Sequence, residues 1–391
     1  MSAMRRSSGL GLGAGRGGGG GGDGRGGAQE GANLPVLRGH NSALVLDLLR
    51  RAREDGLSRL DLAERTGLTP QAVSKIVARL RADGLVVDAG RRVATGGKPR
   101  TVLRLVPDAR HAVGLHLDRD ELTVVLLDLY GTVTASRTAP LDLGAGAETV
   151  VETAAGEVEA LLSEALSARL PAERPCPDGS GGSCQVLGVG VGLPGPLDHA
   201  AGVTGRITGF PEWDGYALRD AFAARLTMPT VLDKDTNAAA LGLPAAPGDS
   251  FAYLHLGTGL GAGLVLDGAV HRGARTGAGE FGHQVIQLNG PICACGQRGC
   301  IEALCLAAVA RGDVTEAARI LGVGAANLVA LLDIDRVLLG GRTVAAAPEL
   351  FVREVGARAR IPVALAAGGA HLVARGAGEL VLAPVFGGRA G

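Results

Sequence analysis

Three cysteines crowd into Cys293-Ala-Cys295-Gly-Gln-Arg-Gly-Cys300, and His283 stands shortly before them. Two ligands one residue apart, then a glycine-bearing turn that returns a third, let a short loop wrap a tetrahedral ion without a large core around it. Three thiolates and an imidazole at this spacing form a structural zinc set. Disulfides are the other use of such a cluster, but they belong to oxidising compartments, to which nothing in the sequence directs the chain. Glu280 and Glu302 flank the four ligands, so whatever the metal holds in shape also carries carboxylates, as a binding cleft would.

A cleft needs packed domains around it, and 391 residues that are 46% hydrophobic suffice for two or three. No apolar run approaches the ~20 residues of a bilayer span, and the first residues lack the apolar centre of a secretion signal. The expected setting is the cytoplasm, with no membrane partner. The formal net charge is zero but unevenly spread: residues 36–106 hold 14 Lys and Arg against 7 Asp and Glu, and residues 107–391 come to −9. Such asymmetry suggests one module that faces a polyanion and another that does not.

Residues 1–33 are mainly glycine and arginine and cannot bury enough surface to offset the entropy of ordering, so they read as a disordered tail. An Arg-Gly RNA-binding segment is the alternative, although no aromatic residue is present there to stack on bases. From Asn41 the spacing of Leu44, Val45, Leu48 and Leu49 predicts a helix to about Arg53, ended by Gly56. Ser58 and Asp61 form a capping-box pair that opens a second helix with Leu60, Leu62 and Ala63 inward, stopping at Gly67. Thr69 caps a third helix, Pro70 takes its first position, and Val73, Ile76, Val77 and Leu80 share one face. Leu85 to Val87 and Thr101 to Leu105 read as strands joined by a basic loop containing Arg91, Arg92, Lys98 and Arg100.

Three helices and a hairpin over 36–106 predict a winged helix-turn-helix. The alternative is a small packing module with a solvated charged face. Against it stands the order of the parts: second helix, glycine turn, capped third helix, basic hairpin. In that arrangement the third helix enters the major groove of an operator, with Gln71, Ser74, Lys75 and Arg79 outward, while the wing arginines and lysine neutralise phosphate. Ser74 and Lys75 lie closer to the helix start than Arg79 and are the better base or phosphate contacts.

Beyond residue 107 strand-like runs at Ala112 to Leu117, Leu122 to Leu129 and Val186 to Gly192 alternate with a helical stretch from about Glu148 to Ala168, an α/β pattern. Residues 171–184, rich in Pro, Gly and Ser, read as an exposed loop, and Cys176 and Cys184 there as incidental thiols. Within this part Gly190-Val-Gly-Leu-Pro-Gly-Pro196, Asp233-Lys-Asp-Thr-Asn237, Gly257-Thr-Gly-Leu-Gly261, Gly279-Glu-Phe-Gly-His283 and the cysteine cluster follow one another in an order similar to that of the ROK family of repressors and sugar kinases. Members with an N-terminal winged helix are mostly sugar-responsive regulators, as in the xylose-repressor and N-acetylglucosamine-repressor branches. The resemblance implies a two-lobed, actin-like (ribonuclease H-like, sugar-kinase-like) domain over 107–391, and a homodimer or homotetramer.

What the resemblance implies for the site follows residue by residue. Asp235, Glu280, His283 and Glu302 match the positions that hold sugar hydroxyls, and Lys234 stands where the family usually has asparagine. A carboxylate accepts from adjacent hydroxyls, and a zinc-bound His283 presents its other N–H in a set direction. Kinases of the family use the residue at Asp235 as base and cradle ATP with an Asp-X-Gly-Gly-Thr hairpin. Here that hairpin reads His116-Leu-Asp118-Arg-Asp120-Glu121, whose acids would face phosphates at a cost on the order of 1 kcal/mol each. The expectation is therefore a DNA-binding regulator with a zinc-supported sugar or sugar-phosphate site and no enzyme activity. A glucokinase-like ATP-dependent sugar kinase and a zinc-stabilised protein-binding module are the alternatives. The interval between Glu302 and Leu338-Leu339-Gly340-Gly341 reads as shorter than the family pattern, which implies a trimmed C-terminal lobe.

Overall fold

The computed structural model describes residues 34–94, 97–167 and 186–388. The glycine-arginine tail and the loop with Cys176 and Cys184 lie outside them. The chain opens with α1 (Leu34–Ala52), β1 (Leu57–Ser58), α2 (Arg59–Thr66) and α3 (Pro70–Ala82), then the wing strands β2 (Val86–Ala94) and β3 (Gly97–Leu105), in the sheet order β1-β3-β2. The Ser58 hydroxyl accepts from the Asp61 N–H at 3.3 Å while the Asp61 carboxylate accepts from the Ser58 N–H at 2.9 Å, which completes the capping box. Thr69 Oγ1 takes the Ala72 N–H at 3.2 Å and Pro70 begins α3.

Three expectations for this part change. The first helix starts at Leu34 rather than Asn41. Leu60, expected inward, is 49% exposed, because at ~100° per residue it lies on the opposite side of the helix from Leu62, and Leu62 is the one that reaches the core. The basic loop is mostly strand: Arg91 pairs with Thr101 and Arg92 with Arg100 in the β2–β3 ladder, so the wing is longer and its turn shorter than the pattern suggests.

The second part holds two sheets of the same design. The first contains β4 (His111–Leu117), β5 (Glu121–Leu127), β6 (Val133–Pro140), β7 (Val186–Leu193) and, after the short ribbon β8 (Leu197–Asp198) and β9 (Val203–Thr204), β10 (Thr230–Lys234). The second contains β11 (Phe251–Leu256), β12 (Leu260–Leu266), β13 (Ala269–Val270), β14 (Arg336–Gly340) and β15 (Val363–Leu365). Numbered within its own lobe, each sheet runs 3-2-1-4-5 with only the second strand antiparallel to the rest. Helices α4 (Ala147–Ser167) and α5 (Leu218–Leu226) cover one face of the first sheet. Helices α7 (Ile301–Ala310), α8 (Val314–Leu332), α9 (Arg342–Ala346) and α10 (Pro348–Ala359) serve the second.

Two further helices hold the lobes together. Helix α6 (Asp235–Gly242) leaves the first sheet and packs on β12 of the second, and α11 (Leu372–Leu382) leaves the second and packs on β4 and β7 of the first. They press against each other at Gly376, where a Cβ would stand 1.7 Å from the Ala238 carbonyl oxygen, so only glycine admits this approach. A Cβ at Gly190 on β7 would likewise fall 1.8 Å from the Ala377 oxygen. The core under the winged helix is continuous with this assembly: Val45, Leu49, Val77 and Leu103 share one cluster with Leu127, Ala374, Leu382 and Phe386.

Helix α8 corrects the statement that no apolar run approaches a bilayer span, since its 19 residues are long and apolar enough by length and composition. Here its Ala317, Ala318, Leu321, Ala325 and Leu328 are buried in the second lobe between α7 and α10. Together α7 and α8 occupy the interval after Glu302.

Candidate effector cleft and metal centre

The four proposed ligands converge. One donor atom each from His283, Cys293, Cys295 and Cys300 lies within 4.8 Å of all the others. Cys293 Sγ stands 3.6 Å from His283 Nδ1, and the sulfurs of Cys295 and Cys300 stand 3.7 Å apart. A tetrahedral zinc with Zn–S near 2.3 Å has edges of about 3.8 Å, so the set fits the ion. Local turns produce the convergence: Cys293 N–H bonds to Gln297 O at 2.8 Å, and Gly296 and Gly299 take φ of +88° and +68°, values that suit glycine. Burial pushes the Cys300 thiol up to about 12, and its neighbouring cysteines add to the push. A dication among the sulfurs is what would let all three ionise together.

The metal loop also positions a carboxylate. Glu302, in the first turn of α7, is 8% exposed, and its Oε2 accepts the Leu260 N–H at 2.9 Å while Oε1 lies 3.9 Å from Cys293 Sγ. With Nδ1 turned to the sulfurs, His283 has Nε2 left for the cleft, and Glu280, Asp235 and Glu302 line that cleft with it, so the four residues singled out for sugar hydroxyls do come together. The space left between them is small, ≈ 70 Å³.

Lys234 accounts for part of that closeness. Its side chain is 2% exposed, and Nζ donates to Glu280 Oε1 at 2.8 Å and to the Ala278 carbonyl at 2.6 Å. Where an asparagine would leave Glu280 open to a ligand, the ammonium engages it. Beside them Asp233 is held by Arg272 at 2.7 Å and by Asn237 Nδ2 at 2.8 Å. Asp235 heads α6, and its Oδ1 takes the Thr236 N–H at 2.6 Å. Burial pushes its carboxyl up to about 7, against the pull of that N–H and of Lys234.

At the phosphate hairpin the structure changes the charge argument. Asp118 and Asp120 do not point at open space: Arg342, at the start of α9, clasps Asp120 at 2.7 and 2.8 Å and Asp118 at 2.8 Å, and Thr258 donates to Asp118 at 2.9 Å. Burial alone would raise Asp118, but His116, the Arg119 amide, Thr258 and Arg342 outweigh it and hold the carboxyl below its ordinary value. Two of the three acids are thus neutralised. What stands against a triphosphate is occupancy, because a side chain from one lobe fills the turn of the other. His116, where the resemblance puts the kinases' aspartate, is buried, and that burial drops it to about 4.

Sequence reasoning missed Arg342 and the Asp233–Arg272 pair, whose partners are far apart in the chain. It also missed Arg119, which lines the cleft with its guanidinium 5.6 Å from the Phe210 ring and no carboxylate partner among the described residues. On the winged helix, Gln71, Ser74, Lys75 and Arg79 are all exposed on α3, but Ser74 donates to Pro70 O at 2.8 Å and Arg79 is tied to the Ser42 hydroxyl of α1. Arg100 is half exposed, 3.9 Å from Asp61. The side chains of Arg91, Arg92 and Lys98 lie outside the described residues.

A winged helix-turn-helix joined to a duplicated, two-lobed domain of the actin and sugar-kinase type is the class this fold defines. Known proteins agree with it part by part. A ROK family model matches residues 179–309, and a MarR family model matches residues 39–92. The putative xylose repressor of Caldicellulosiruptor sp. (strain Rt8B.4) is 26% identical over 368 residues, which cover 83% of this chain and 88% of that one. The glucokinase of Thermotoga maritima is 41% identical over a shorter stretch of 133 residues, 33% of this chain and 42% of the enzyme. A crystal structure of a ROK family transcriptional regulator, a homolog of the E. coli MLC protein, superposes with a TM-score of 0.68 at 20% identity, over 90% of this chain and 98% of that one, a likeness of fold. The chain thus carries a ROK-type domain, with a MarR-type helix-turn-helix ahead of it.

Proposed function

We propose that the chain is a sugar-responsive, DNA-binding transcriptional repressor of carbohydrate genes, divided into a winged helix at about 36–106 and a zinc-containing sensor domain at 107–391. The observation that carries this is the shared core: the winged helix is packed directly onto the helix that joins the two lobes, so a change in lobe angle has a mechanical route to α3. Gln71, Ser74 and Lys75 would meet operator bases or phosphates, with Arg91, Arg92, Lys98 and Arg100 on the flanking backbone. Arg79, tied to Ser42, serves the helix packing first. Asp235, Glu280, His283 and Glu302 would hold the sugar or sugar phosphate, and the ligand would have to part Lys234 from Glu280 to use the latter. His283, Cys293, Cys295 and Cys300 would hold zinc, which would fix the His283 ring beside Glu302. A dimer presents two α3 helices to a two-fold symmetric operator, and by linkage the sugar and the operator weaken each other by one factor.

A deciding experiment selects operators from random duplexes with the purified protein, then measures anisotropy of the selected duplex while hexoses, amino sugars and their phosphates are added. One sugar that lowers affinity at least tenfold, with the effect lost in Glu302→Ala, supports the reading. Affinity that no sugar changes would sink it. The likeness to a glucokinase keeps a second reading alive, in which Asp235 is the base of an ATP-dependent kinase. Arg342 in the hairpin speaks against it, and phosphorylation of any hexose that Asp235→Asn abolishes would reverse that judgement.

A further inference from the structure

At the seam between the winged helix and the first lobe lies a second cavity of ≈ 350 Å³, which no step of the reading above uses. Its lining includes Arg53, just past α1, Gly131 and Thr132 from the turn between β5 and β6, and Gly368, His371 and Arg375 around the start of α11. Arg53 and Arg375 have no ion-pair partner among the described residues, and Arg375 Nε is buried without a hydrogen bond. A buried guanidinium N–H without an acceptor is destabilising unless something brings one. Arg53 is held there in an unusual backbone, φ +45°, with its guanidinium 5.4 Å from the Tyr130 ring.

Two more features give the cavity one sign. Helix α11 begins at its edge, so the positive end of the helix adds to the arginines. Among the described residues no carboxylate lines the space. Glu379, beside Gly131, is gripped through both oxygens by Arg50 at 2.6 and 2.9 Å, and Asp128 accepts the Tyr130 and Thr132 N–H groups.

We infer that this seam cavity is an anion site, which takes a phosphate group, free or on a small phosphorylated metabolite, between Arg53 of the winged helix and Arg375 of α11. A charge-assisted fork from each arginine reads a tetrahedral oxyanion from two sides. Because the two arginines belong to different parts, an occupied site ties the winged helix to the sensor, and it acts separately from the sugar cleft.

The test is calorimetric titration of the full chain with inorganic phosphate and with glycerol 3-phosphate, against chloride at matched ionic strength. Binding that Arg375→Gln and Thr132→Glu each weaken about tenfold or more, while Arg119→Gln in the cleft leaves it unchanged, is the expected result. Thr132→Glu removes no arginine and brings only a repelling carboxylate to an exposed turn, so it decides the matter should Arg375→Gln unfold. Glycerol 3-phosphate binding well above phosphate identifies a metabolite, and equal binding identifies the free ion. Equal affinity in Thr132→Glu and the parent overturns the site. So does absence of heat with both anions together with duplex affinity that falls in Arg375→Gln, which would make the arginine an operator contact.

Discussion

Replacing Asp235 by asparagine should stabilise the protein in a pH-dependent way. Burial at the head of α6, with Asp118 and Glu280 nearby, lifts this carboxyl from 3.8 to about 7. Between those two values the native chain keeps a proton that the unfolded chain has released, so this residue's contribution to stability falls as pH rises through the window. Three units at 1.36 kcal/mol each set a ceiling of about 4 kcal/mol. Part of the side chain still faces the cleft, so solvent reduces the net penalty to about 1–2 kcal/mol. Asparagine keeps the oxygen that takes the Thr236 N–H and has nothing to ionise. Thermal midpoints of parent and Asp235→Asn, recorded from pH 4.5 to 8.5 with zinc present, should lie closest at pH 4.5 and separate by roughly 1–3 °C above pH 7.5, the variant being higher. Titration of the metal centre is common to both proteins and cancels in the difference. An offset that is the same at every pH, or a variant that loses stability as pH rises, would refute the burial argument.

Other parts of the structure give simpler tests. Cys295→Ala should remove stoichiometric metal, read by elemental analysis, and lower the midpoint by several degrees, while a chelator should do the same to the parent and nothing further to the variant. Arg342→Ala releases Asp118 and Asp120 and unfastens the lobes. Since Arg342 is 47% exposed, the expected loss is only about 1 kcal/mol, but amide exchange in the turn between β4 and β5 should rise, and unchanged exchange would contradict the clasp. Gly376→Ala drives a methyl into the Ala238 carbonyl and should lose about 3 kcal/mol or more, whereas Gly156→Ala in α4, with nothing within 4 Å, should gain about 0.5–1 kcal/mol. Similar outcomes for the two glycines would show that the helix contact is not as close as drawn.

How much of this was legible in the chain follows from the range of each signal. The capping pair Ser58 and Asp61, the Thr69 cap before Pro70 and the cysteine run are decided within a few residues, and each was readable because the bonds that make it span only those residues. Leu60 failed because the reading counted apolar residues without turning the helix through its own angle. The duplicated strand order was not readable, since no repeated motif marks it and register across a sheet is set by partners far away in the chain. The cleft was readable in membership but not in state. Asp235, Glu280, His283 and Glu302 were found from motifs, while the Lys234–Glu280 pair and the Arg342 clasp depend on which side chain reaches across 46 or 224 positions.

Those long-range pairs bear most on how the protein works. Arg342 joins the two lobes at the hairpin, Lys234 at the end of β10 reaches Glu280 before the metal loop, and α6 meets α11 where Gly376 allows backbone contact. Helix α11 then carries Glu379 to Arg50 of α1, under Phe386, whose ring lies 4.5 Å from the Arg50 guanidinium. A ligand that parted Lys234 from Glu280 would act at one end of this series, and α3 sits at the other. Packed helices respond by shifting as bodies between discrete arrangements rather than by flexing. Glu379→Gln, which weakens the last link without touching the cleft or α3, should therefore leave sugar binding and operator binding each within about threefold of the parent while it lowers the factor by which one affects the other. If that factor is unchanged, the signal passes through the shared apolar core of α1, β5 and α11 instead, and substitutions at Leu382 or Leu127 become the ones that should reduce it.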